Sequence, residues 1–230
     1  MQPLAQKIRP KSLEDYVGQE HLVGESGVVR ELILKDELPS MILWGPPGTG
    51  KTTLASIIAR ETKAHFLNYS AVTTTLKKIR EAVAEAEERA RAFGERTILF
   101  LDEIHRFNKT QQDSLLPHVE KGTLVLIGAT TENPSFEVIG PLLSRSRVFT
   151  VKPLGAKHLE QILTRGEEEL KIKLGEKARK FLIFSSGGDA RMLLNTLEVA
   201  SSLAKKDKKI NKKTLEKVLQ ENPLLYDKQG

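Results

Sequence analysis

Five short apolar runs alternate with amphipathic stretches between residues 41 and 151. Each run is apolar on both faces, as in buried strands, and a stretch with helical spacing separates it from the next. Such an alternation predicts parallel strands joined by right-handed crossovers. We therefore expect an α/β fold, a three-layer αβα sandwich in which a parallel five-stranded sheet lies between helices. The predicted strands are residues 41–44, 65–68, 98–101, 124–129 and 148–151, and the predicted helices are residues 52–62, 76–93 and 110–120, with a short turn at 141–144.

The strand pattern stops after Pro153, and four helical patterns follow it. Glycines and a lysine-rich stretch separate these patterns, and Asp189 has the side chain of an N-cap for the third. We expect a small all-helical domain over residues 154–222, after a sandwich domain over residues 1–153. The predicted helices are residues 156–169, 176–186, 189–204 and 214–220.

The composition indicates a folded protein and gives no sign of an oxidising compartment. Charged residues make up 29% and hydrophobic residues 39% of the 230 residues, an ordinary balance for a globular chain. There is no cysteine, which excludes disulfides and thiolate metal sites. No stretch has the pattern of a signal peptide or a membrane span, so we expect a cytoplasmic protein without a membrane partner. The net charge of +6 is compatible with a polyanionic partner without requiring one.

The stretch WGPPGTGKTT at residues 44–53 has the spacing of a phosphate loop. Gly45, Gly50, Lys51 and Thr52 match the pattern G-x-x-x-x-G-K-T between an apolar run and a helical pattern, as this motif requires. Glycines let backbone N–H groups point at phosphate oxygens, and the helix N-terminus adds positive charge. Lys51 is expected to reach the β and γ phosphates, and Thr52 to give its hydroxyl to Mg²⁺. The sequence therefore predicts a site for a nucleoside triphosphate with Mg²⁺.

Two adjacent carboxylates follow the third apolar run, in the stretch ILFLDEIHRF. Asp102 and Glu103 are expected at the carboxyl end of this strand, where open α/β sheets bind their ligands. Asp102 would hold Mg²⁺ through its water shell, and Glu103 would orient and polarise the attacking water. His105 beside them is more typical of a hydrogen-bonded strand-end residue than of a metal ligand, because no second histidine lies at ligand spacing.

Several stretches, in this order, resemble the clamp-loader group of AAA+ ATPases: GPPGTGKT, LDEIH, GATTENPSF, LLSRSRVF and GGDARMLLNTLE. Within that group the chain is similar to the replication-associated recombination protein family, the bacterial relatives of the Werner helicase interacting protein. The stretches that carry this similarity are RPKSLEDYVGQEHLVG, and HRFNK followed by TTENPSF. The resemblance covers nearly the whole chain. It implies an AAA+ P-loop fold with a helical lid that binds ATP and Mg²⁺. It also implies a DNA-dependent ATPase that remodels DNA during replication-fork maintenance, recombination and repair.

The resemblance assigns roles by position. Thr131, with Thr130 beside it, falls at the sensor 1 position, although two threonines here are also typical of a turn. Arg191 falls at sensor 2, where it would close the lid over the nucleotide. The expected catalytic residues are Lys51, Asp102, Glu103, Thr131, Arg145 and Arg191, and the expected metal ligands are Thr52 and Asp102. The expected nucleotide-binding residues are Arg9, Pro10, Val17 and Gly18 around the adenine, Gly45, Pro46, Pro47, Gly48, Thr49, Gly50, Lys51, Thr52 and Thr53 in the loop, and Arg191.

Arg145 matches the arginine finger of the group, although Ser146 stands where the group has cysteine. Such a finger enters the neighbouring subunit's site and neutralises charge on the transferred phosphoryl group. Arg147 competes for the same role, and either arginine could instead bridge a surface carboxylate. Asn68, at the end of the second predicted strand, occupies the position where related ATPases tether the catalytic glutamate, but a plain strand-end turn explains it equally well.

Basic residues that follow the strand ends are candidates for contacts with DNA phosphates. Aromatic residues make up only 5% of the chain and do not interleave with them, so we expect binding directed at the backbone rather than at base sequence. The resemblance implies single-stranded ends, forks or gaps as the DNA, and single-strand binding protein as a partner. The candidates are Lys77, Lys78, Arg80, Arg106 and Lys109, together with a cluster that is more typical of a solvated loop: Lys205, Lys206, Lys208, Lys209, Lys212 and Lys213.

Two other functions remain open. A protein-remodelling unfoldase or chaperone usually carries an aromatic pore loop after the second strand, whereas residues 71–78 read AVTTTLKK. A non-hydrolysing clamp-loader subunit would be expected to lack Lys51 or Glu103, and both are present. Members of the family that this chain resembles continue into a C-terminal helical region that assembles tetramers. We therefore expect residues 223–230 to begin such a region. We expect this fragment to be monomeric and weakly active, and the protein to be associated with the nucleoid.

Overall fold

The computed structural model of the chain describes residues 2–204 and 209–220. By their contacts the residues form two compact units. The sheet unit consists of Pro10–Pro46 and Gly50–Lys152, and the helical unit of Met1–Arg9, Pro47–Thr49 and Pro153–Gly230. The expectations for residues 223–230 and for Lys205, Lys206 and Lys208 lie outside the described residues.

The sheet unit contains the predicted parallel sheet. Its five strands lie in the order β2-β3-β4-β1-β5, and every neighbouring pair is parallel. Consecutive strands in the chain are therefore joined by crossovers that carry helices, which confirms the predicted three-layer arrangement. The strands are β1 (Met41–Trp44), β2 (His65–Ser70), β3 (Thr97–Asp102), β4 (Leu124–Thr130) and β5 (Arg147–Thr150).

Both faces of this sheet are covered, because side chains alternate along each strand. On one face Leu43 and Phe100 pack into a cluster with Leu54 and Ile58 of the helix after the phosphate loop. On the other face Ile42, Leu99 and Leu101 pack with Ile79 and Val83 of the helix after β2. Each fully buried aliphatic side chain contributes roughly 1.5–3 kcal/mol, so these two clusters hold the strand ends in fixed positions.

The predicted helices 52–62 and 76–93 are present, whereas the short helices Glu20–Val23, Val28–Leu34 and Pro134–Glu137 were not predicted. The predicted helix 110–120 is wrong as a single element, since it divides into α6 and α7. Pro117 causes the break, because its ring clashes with the carbonyl four residues earlier, at Asp113, where α6 ends. The helices are α2 (Glu20–Val23), α3 (Val28–Leu34), α4 (Lys51–Glu61), α5 (Leu76–Phe93), α6 (Lys109–Asp113), α7 (Leu116–Glu120), α8 (Pro134–Glu137) and α9 (Gly140–Ser144), with a 3-10 turn at Ile104–Arg106.

The helical unit also contains a short parallel strand pair that the sequence pattern did not reveal. β6 (Lys173–Leu174) pairs with β7 (Lys209–Ile210), so the prediction that strand structure stops after Pro153 is wrong at this point. Two residues are too few for a periodic pattern. The helices are α1 (Leu4–Lys7), α10 (Ala156–Leu170), α11 (Glu176–Ser185), α12 (Ala190–Leu203) and α13 (Lys212–Gln220).

The first helix of the chain is part of the helical unit's core. Leu4 is completely buried in a cluster with Leu163, Leu193 and Leu197. Its backbone N–H donates to the carboxylate of Glu198, 3.1 Å away. Residues 1–9 therefore group with the helices that follow Pro153, whereas the expected boundary assigned them to the sandwich.

One buried carboxylate anchors the short strands of this unit. Glu167 is 6% exposed, accepts the N–H of Leu174 at 2.6 Å through Oε1, and pairs with Arg179 through Oε2. Arg179 also donates to Glu160 and Thr164. A buried charge needs such partners, because desolvation otherwise disfavours it strongly.

Candidate active site

Three neighbouring strands of the sheet unit end at one edge and bring the predicted motifs side by side. β4 lies between β3 and β1 in the sheet. Asp102 ends β3 and Glu103 follows it, Thr130 ends β4, and Gly45 follows β1. The N–H of Gly45 donates to the carbonyl of Thr130 at 3.1 Å. The start of the phosphate loop, the acids and the two threonines therefore share the carboxyl edge of the sheet, where α/β folds bind ligands.

The glycines at the two ends of the phosphate loop, Gly45 and Gly50, have no room for a side chain. A Cβ at Gly45 would overlap the carbonyl oxygen of Val151, which follows the adjacent strand β5. Gly50 has φ +99°, and a Cβ there would lie 2.6 Å from the hydroxyl of Tyr16. Tyr16 is buried, and burial raises the pKa of its phenol well above the ordinary value, so the group is neutral. Sequence reasoning missed Tyr16, because the contact joins residues far apart in the chain.

Lys51 fills the end of the loop with its ammonium group. The side chain is buried, and Nζ donates to the carbonyl oxygens of Gly45 and Pro46 at 2.7 and 2.8 Å. Because two carbonyl groups hold this ammonium at the N-terminus of α4, the ammonium and the helix end can both attract phosphate oxygens. Thr52 and Thr53 lie half-buried in the first turn of α4. These groups therefore fit the triphosphate that the motif implies.

The donor set for Mg²⁺ is small but chemically suitable. No cluster of three or more His, Cys, Asp or Glu side chains is positioned to hold a metal ion anywhere in residues 2–204 and 209–220. Mg²⁺ usually keeps several waters and binds through one or two protein oxygens plus substrate phosphates. The hydroxyl of Thr52 and the carboxylate of Asp102 are ligands of this kind, so the residues fit an ion that arrives with a nucleotide.

Pro47–Thr49, the middle of the loop, belong by their contacts to the helical unit. Within that unit the N–H of Ala190 donates to the carbonyl of Gly48 at 3.1 Å. Asp189 caps α12, as predicted, by accepting the N–H of Met192 at 2.9 Å. A Cβ at Gly48, which has φ +67°, would overlap the Asp189 carboxylate.

A histidine joins the acids to the end of β4. His105 Nδ1 lies 3.0 Å from the hydroxyl of Thr130, and its Nε2 lies 3.3 Å from Oε2 of Glu103. Thr130 is completely buried, whereas Thr131 is half-buried at the start of the following loop. His105 is a hydrogen-bonded strand-end residue, as expected, but its partners include the predicted catalytic acid. Spacing could not reveal this, because Thr130 lies 25 positions further along the chain.

Arg145 lies away from this edge. It follows α9 and precedes Arg147, which begins β5 opposite Met41 at the start of β1. Its guanidinium pairs with Glu120 at 2.7 Å and donates to the carbonyl of Pro141 at 2.9 Å. Arg145 thus bridges a surface carboxylate, the alternative that the sequence left open, and sequence reasoning missed Glu120 as its partner. Arg147 is exposed within β5.

The remaining predicted residues lie in several places. Arg191 is exposed in the first turn of α12, and Arg9 is half-buried; both belong to the helical unit. Pro10, Val17 and Gly18 belong to the sheet unit. Their expected contacts with nucleotide stay predictions.

Asn68 does not end its strand. β2 continues to Ser70, and Asn68 pairs in register with Phe100 while Ser70 pairs with Asp102. The prediction that Asn68 occupies the strand end is therefore wrong. The apolar pattern is already interrupted by the polar side chain of Asn68, whereas the pairing with β3 extends the strand to Ser70.

The candidate DNA-binding residues of the sheet unit follow the carboxyl ends of two adjacent strands. β2 and β3 are neighbours, and the amide of Gln111 in α6 donates to the carbonyl of Thr74 in the loop after β2 at 3.3 Å. Two groups of exposed cations thus lie next to each other. In the helical unit, Lys212 is engaged by Glu216 at 3.3 Å and lies over the ring of Phe181. The exposed cations are Lys77, Lys78, Arg80, Arg106 and Lys109.

Two family profiles match the chain in sequence order. Residues 41–154 match the ATPase family associated with various cellular activities (AAA), and residues 167–230 match the AAA C-terminal domain. The chain belongs to the AAA family. The first match contains the loop, the acids, the threonines and Arg145, and it supports ATPase activity in general.

Relatives and solved structures agree with this assignment. Replication-associated recombination protein A of Haemophilus influenzae is 49% identical over an alignment of 238 positions. The alignment covers 99% of this chain and 53% of that protein. The ATPase WRNIP1 of Dictyostelium discoideum is 41% identical, covering 99% of this chain and 29% of that protein. The chain therefore spans about half the length of the bacterial relative. The Thermotoga maritima RuvB Holliday junction branch migration motor superposes with a TM-score of 0.77 at 27% identity, covering 93% of this chain and 72% of that chain.

The described part of the chain contains no helix that is both long and apolar enough to span a membrane.

Proposed function

We propose that the chain is the motor part of a DNA-dependent ATPase that couples ATP hydrolysis to the remodelling of DNA in replication-associated recombination and repair. The observation that carries the proposal is the 49% identity to replication-associated recombination protein A across the segment that contains the phosphate loop and both acids. The arrangement of these motifs at one sheet edge supports it.

The roles of the residues follow from their chemistry. Backbone N–H groups of residues 48–52 and the ammonium of Lys51 bind the phosphates, and Thr52 and Asp102 would hold Mg²⁺, which would neutralise charge on the phosphate oxygens. Glu103 orients the attacking water, and Thr131 contacts the γ phosphate or that water. Arg191, Arg9, Pro10, Val17 and Gly18 remain candidates for nucleotide contacts by position.

Arg145 acts in a second subunit. It precedes the start of β5, whereas the acids follow the end of β3, and the strands between these edges are four to seven residues long. At about 3.3 Å per residue, that length exceeds the reach of an arginine side chain. Arg145 therefore does not reach the acids of its own subunit. We propose that it serves a neighbouring site in an oligomer, a tetramer in the full-length form, and that the isolated chain is weakly active for this reason.

DNA binding is directed at phosphates by the exposed cations after β2 and β3. Replacing Lys77, Arg106 and Lys109 with alanine is expected to lower the slope of log affinity against log salt by about 0.7 for each lost contact with single-stranded DNA. Lys180→Ala is the matched control, because Lys180 lies in the helical unit and pairs with Glu176. An unchanged slope in the triple variant would place the DNA elsewhere. Single-strand binding protein remains a partner implied by the family.

The deciding experiment measures ATP turnover by the full-length protein with single-stranded, double-stranded and forked DNA, and with an unfolded protein. Stimulation by DNA is expected, and Lys51→Ala and Glu103→Gln are expected to abolish turnover. Stimulation by unfolded protein alone would favour a protein-remodelling function. Turnover that survives both substitutions would remove the site from the mechanism.

A further inference from the structure

The turn after β3 brings His105 back over the predicted catalytic acid. Glu103 has φ +56°, a left-handed conformation that non-glycine residues rarely adopt. The chain then enters the 3-10 turn, closed by the N–H of Arg106 donating to the carbonyl of Glu103 at 2.8 Å. The turn directs the imidazole between Glu103 and the end of β4. Its side chain is only 8% exposed, while that of Glu103 is 37% exposed.

The polar groups around His105 decide which of its ring nitrogens carries the proton. The hydroxyl of Thr130 accepts the N–H of Glu132 at 3.0 Å and lies 3.3 Å from the carbonyl oxygen of Glu132, so its single proton can go to that oxygen or to Nδ1 of His105. When it donates its proton to Nδ1 of His105, 3.0 Å away, the neutral imidazole carries its own proton on Nε2. Nε2 lies 3.3 Å from Oε2 of Glu103, a polar contact that a proton on Nε2 makes attractive. The opposite neutral tautomer would turn a lone pair of Nε2 towards the carboxylate, which is repulsive.

We propose that His105 is a positioning residue for Glu103, which orients the carboxylate through an Nε2–H donor and ties it to the buried hydroxyl of Thr130. The proposal rests on the assignment of Glu103 as the group that orients water. The contacts Glu103–His105–Thr130 form a relay from the acid to the end of β4. Thr130 lies directly before Thr131, the residue at the sensor 1 position. Rotation of the carboxylate is thereby restricted without any contact between His105 and the nucleotide.

A positioning role predicts a specific pattern in the rate constants. His105→Phe keeps a flat ring but removes the hydrogen bond to Thr130 and the polar contact with Glu103, so kcat is expected to fall about 10- to 100-fold while the KM for MgATP changes less than about threefold. His105→Gln offers an oxygen to Thr130 and an N–H to Glu103, and is expected to regain much of the loss.

The matched control is His21→Phe, at an exposed histidine whose Nε2 contacts the carbonyl of Thr150 at 2.9 Å. Thr130→Val breaks the relay at its far end and is expected to lower kcat, whereas Thr130→Ser keeps the hydroxyl and should regain it. An unchanged or raised kcat in His105→Phe would overturn the proposal. A wild-type protein without any turnover would instead overturn the proposed function.

Imidazole nitrogen NMR tests the relay without any turnover. The chain has five histidines, and His105→Phe assigns the signal of interest by its loss. We expect Nδ1 of His105 to have the chemical shift of an unprotonated acceptor and Nε2 that of an N–H donor, and we expect both signals to move in Thr130→Val. A proton on Nδ1 alone, or signals unmoved by Thr130→Val, would overturn the proposal even where the protein hydrolyses ATP.

Discussion

Replacing Gly50 with alanine tests how the phosphate loop is supported. Gly50 precedes α4 with φ +99°, and a Cβ there would lie 2.6 Å from the hydroxyl oxygen of Tyr16 and 3.1 and 3.2 Å from two ring carbons. Two costs therefore add in Gly50→Ala. One is the left-handed backbone, and the other is the collision with a buried ring that has little space to move.

The two costs can be estimated separately. A left-handed conformation costs a non-glycine residue about 1–2 kcal/mol. Overpacking of a filled core costs about 1–3 kcal/mol, so the free energy of unfolding should fall by about 2–5 kcal/mol in Gly50→Ala. Gly94→Ala is the control for the backbone cost alone, because Gly94 has φ +65° and no atom within 4 Å of the added Cβ.

Tyr16→Phe removes the closest atom and leaves contacts of 3.1 and 3.2 Å, which small shifts relieve. The double variant should therefore be about 1–3 kcal/mol more stable than the sum of the single changes predicts. Urea unfolding followed by Trp44, the only tryptophan and the residue directly before the loop, measures this coupling. Additivity within about 0.5 kcal/mol would refute the steric argument.

Three further changes test other parts of the chain. Lys51→Met should weaken binding of fluorescent MgATP about 10- to 100-fold, because a charged hydrogen bond contributes about 1.5–3 kcal/mol; unchanged affinity would contradict the role of the ammonium. Asp189→Ala should destabilise the helical unit by about 1 kcal/mol in thermal unfolding, whereas Asp189→Asn should retain most of the cap, and equal losses would exclude capping as the cause. Arg179→Met should lower the free energy of unfolding by about 3–5 kcal/mol, because it leaves the charge of Glu167 buried without this partner. Adding Glu167→Met should recover part of that stability, and calorimetry can measure both changes.

Local chemistry explains what could be predicted from the sequence. The glycine spacing of the loop, the apolar runs and the N-cap at Asp189 each depend on residues within one short stretch. β1 and α5 appear with the bounds that the pattern predicted, Met41–Trp44 and Leu76–Phe93. The presence of Asp102 and Glu103 after an apolar run was likewise enough to expect them at the carboxyl edge.

Features that depend on distant partners were not predictable in the same way. The hydroxyl that contacts His105 belongs to Thr130 on a separate strand. The strand pair β6–β7 joins residues that are 36 positions apart in the chain. Asn68 was misplaced for the same reason, since strand β2 is extended by its pairing with β3 and not by its own hydrophobicity. The break at Pro117 was the exception, because a proline inside a helical pattern is a local signal.

The membership of residues 1–9 in the helical unit has a consequence for synthesis on the ribosome. Leu4 is translated about 190 residues before Leu193 and Leu197, which enclose it. Domains generally fold as units, N-terminal first, at about 5–20 residues per second of translation. The sheet unit can therefore fold before the native neighbours of Leu4 have been synthesised.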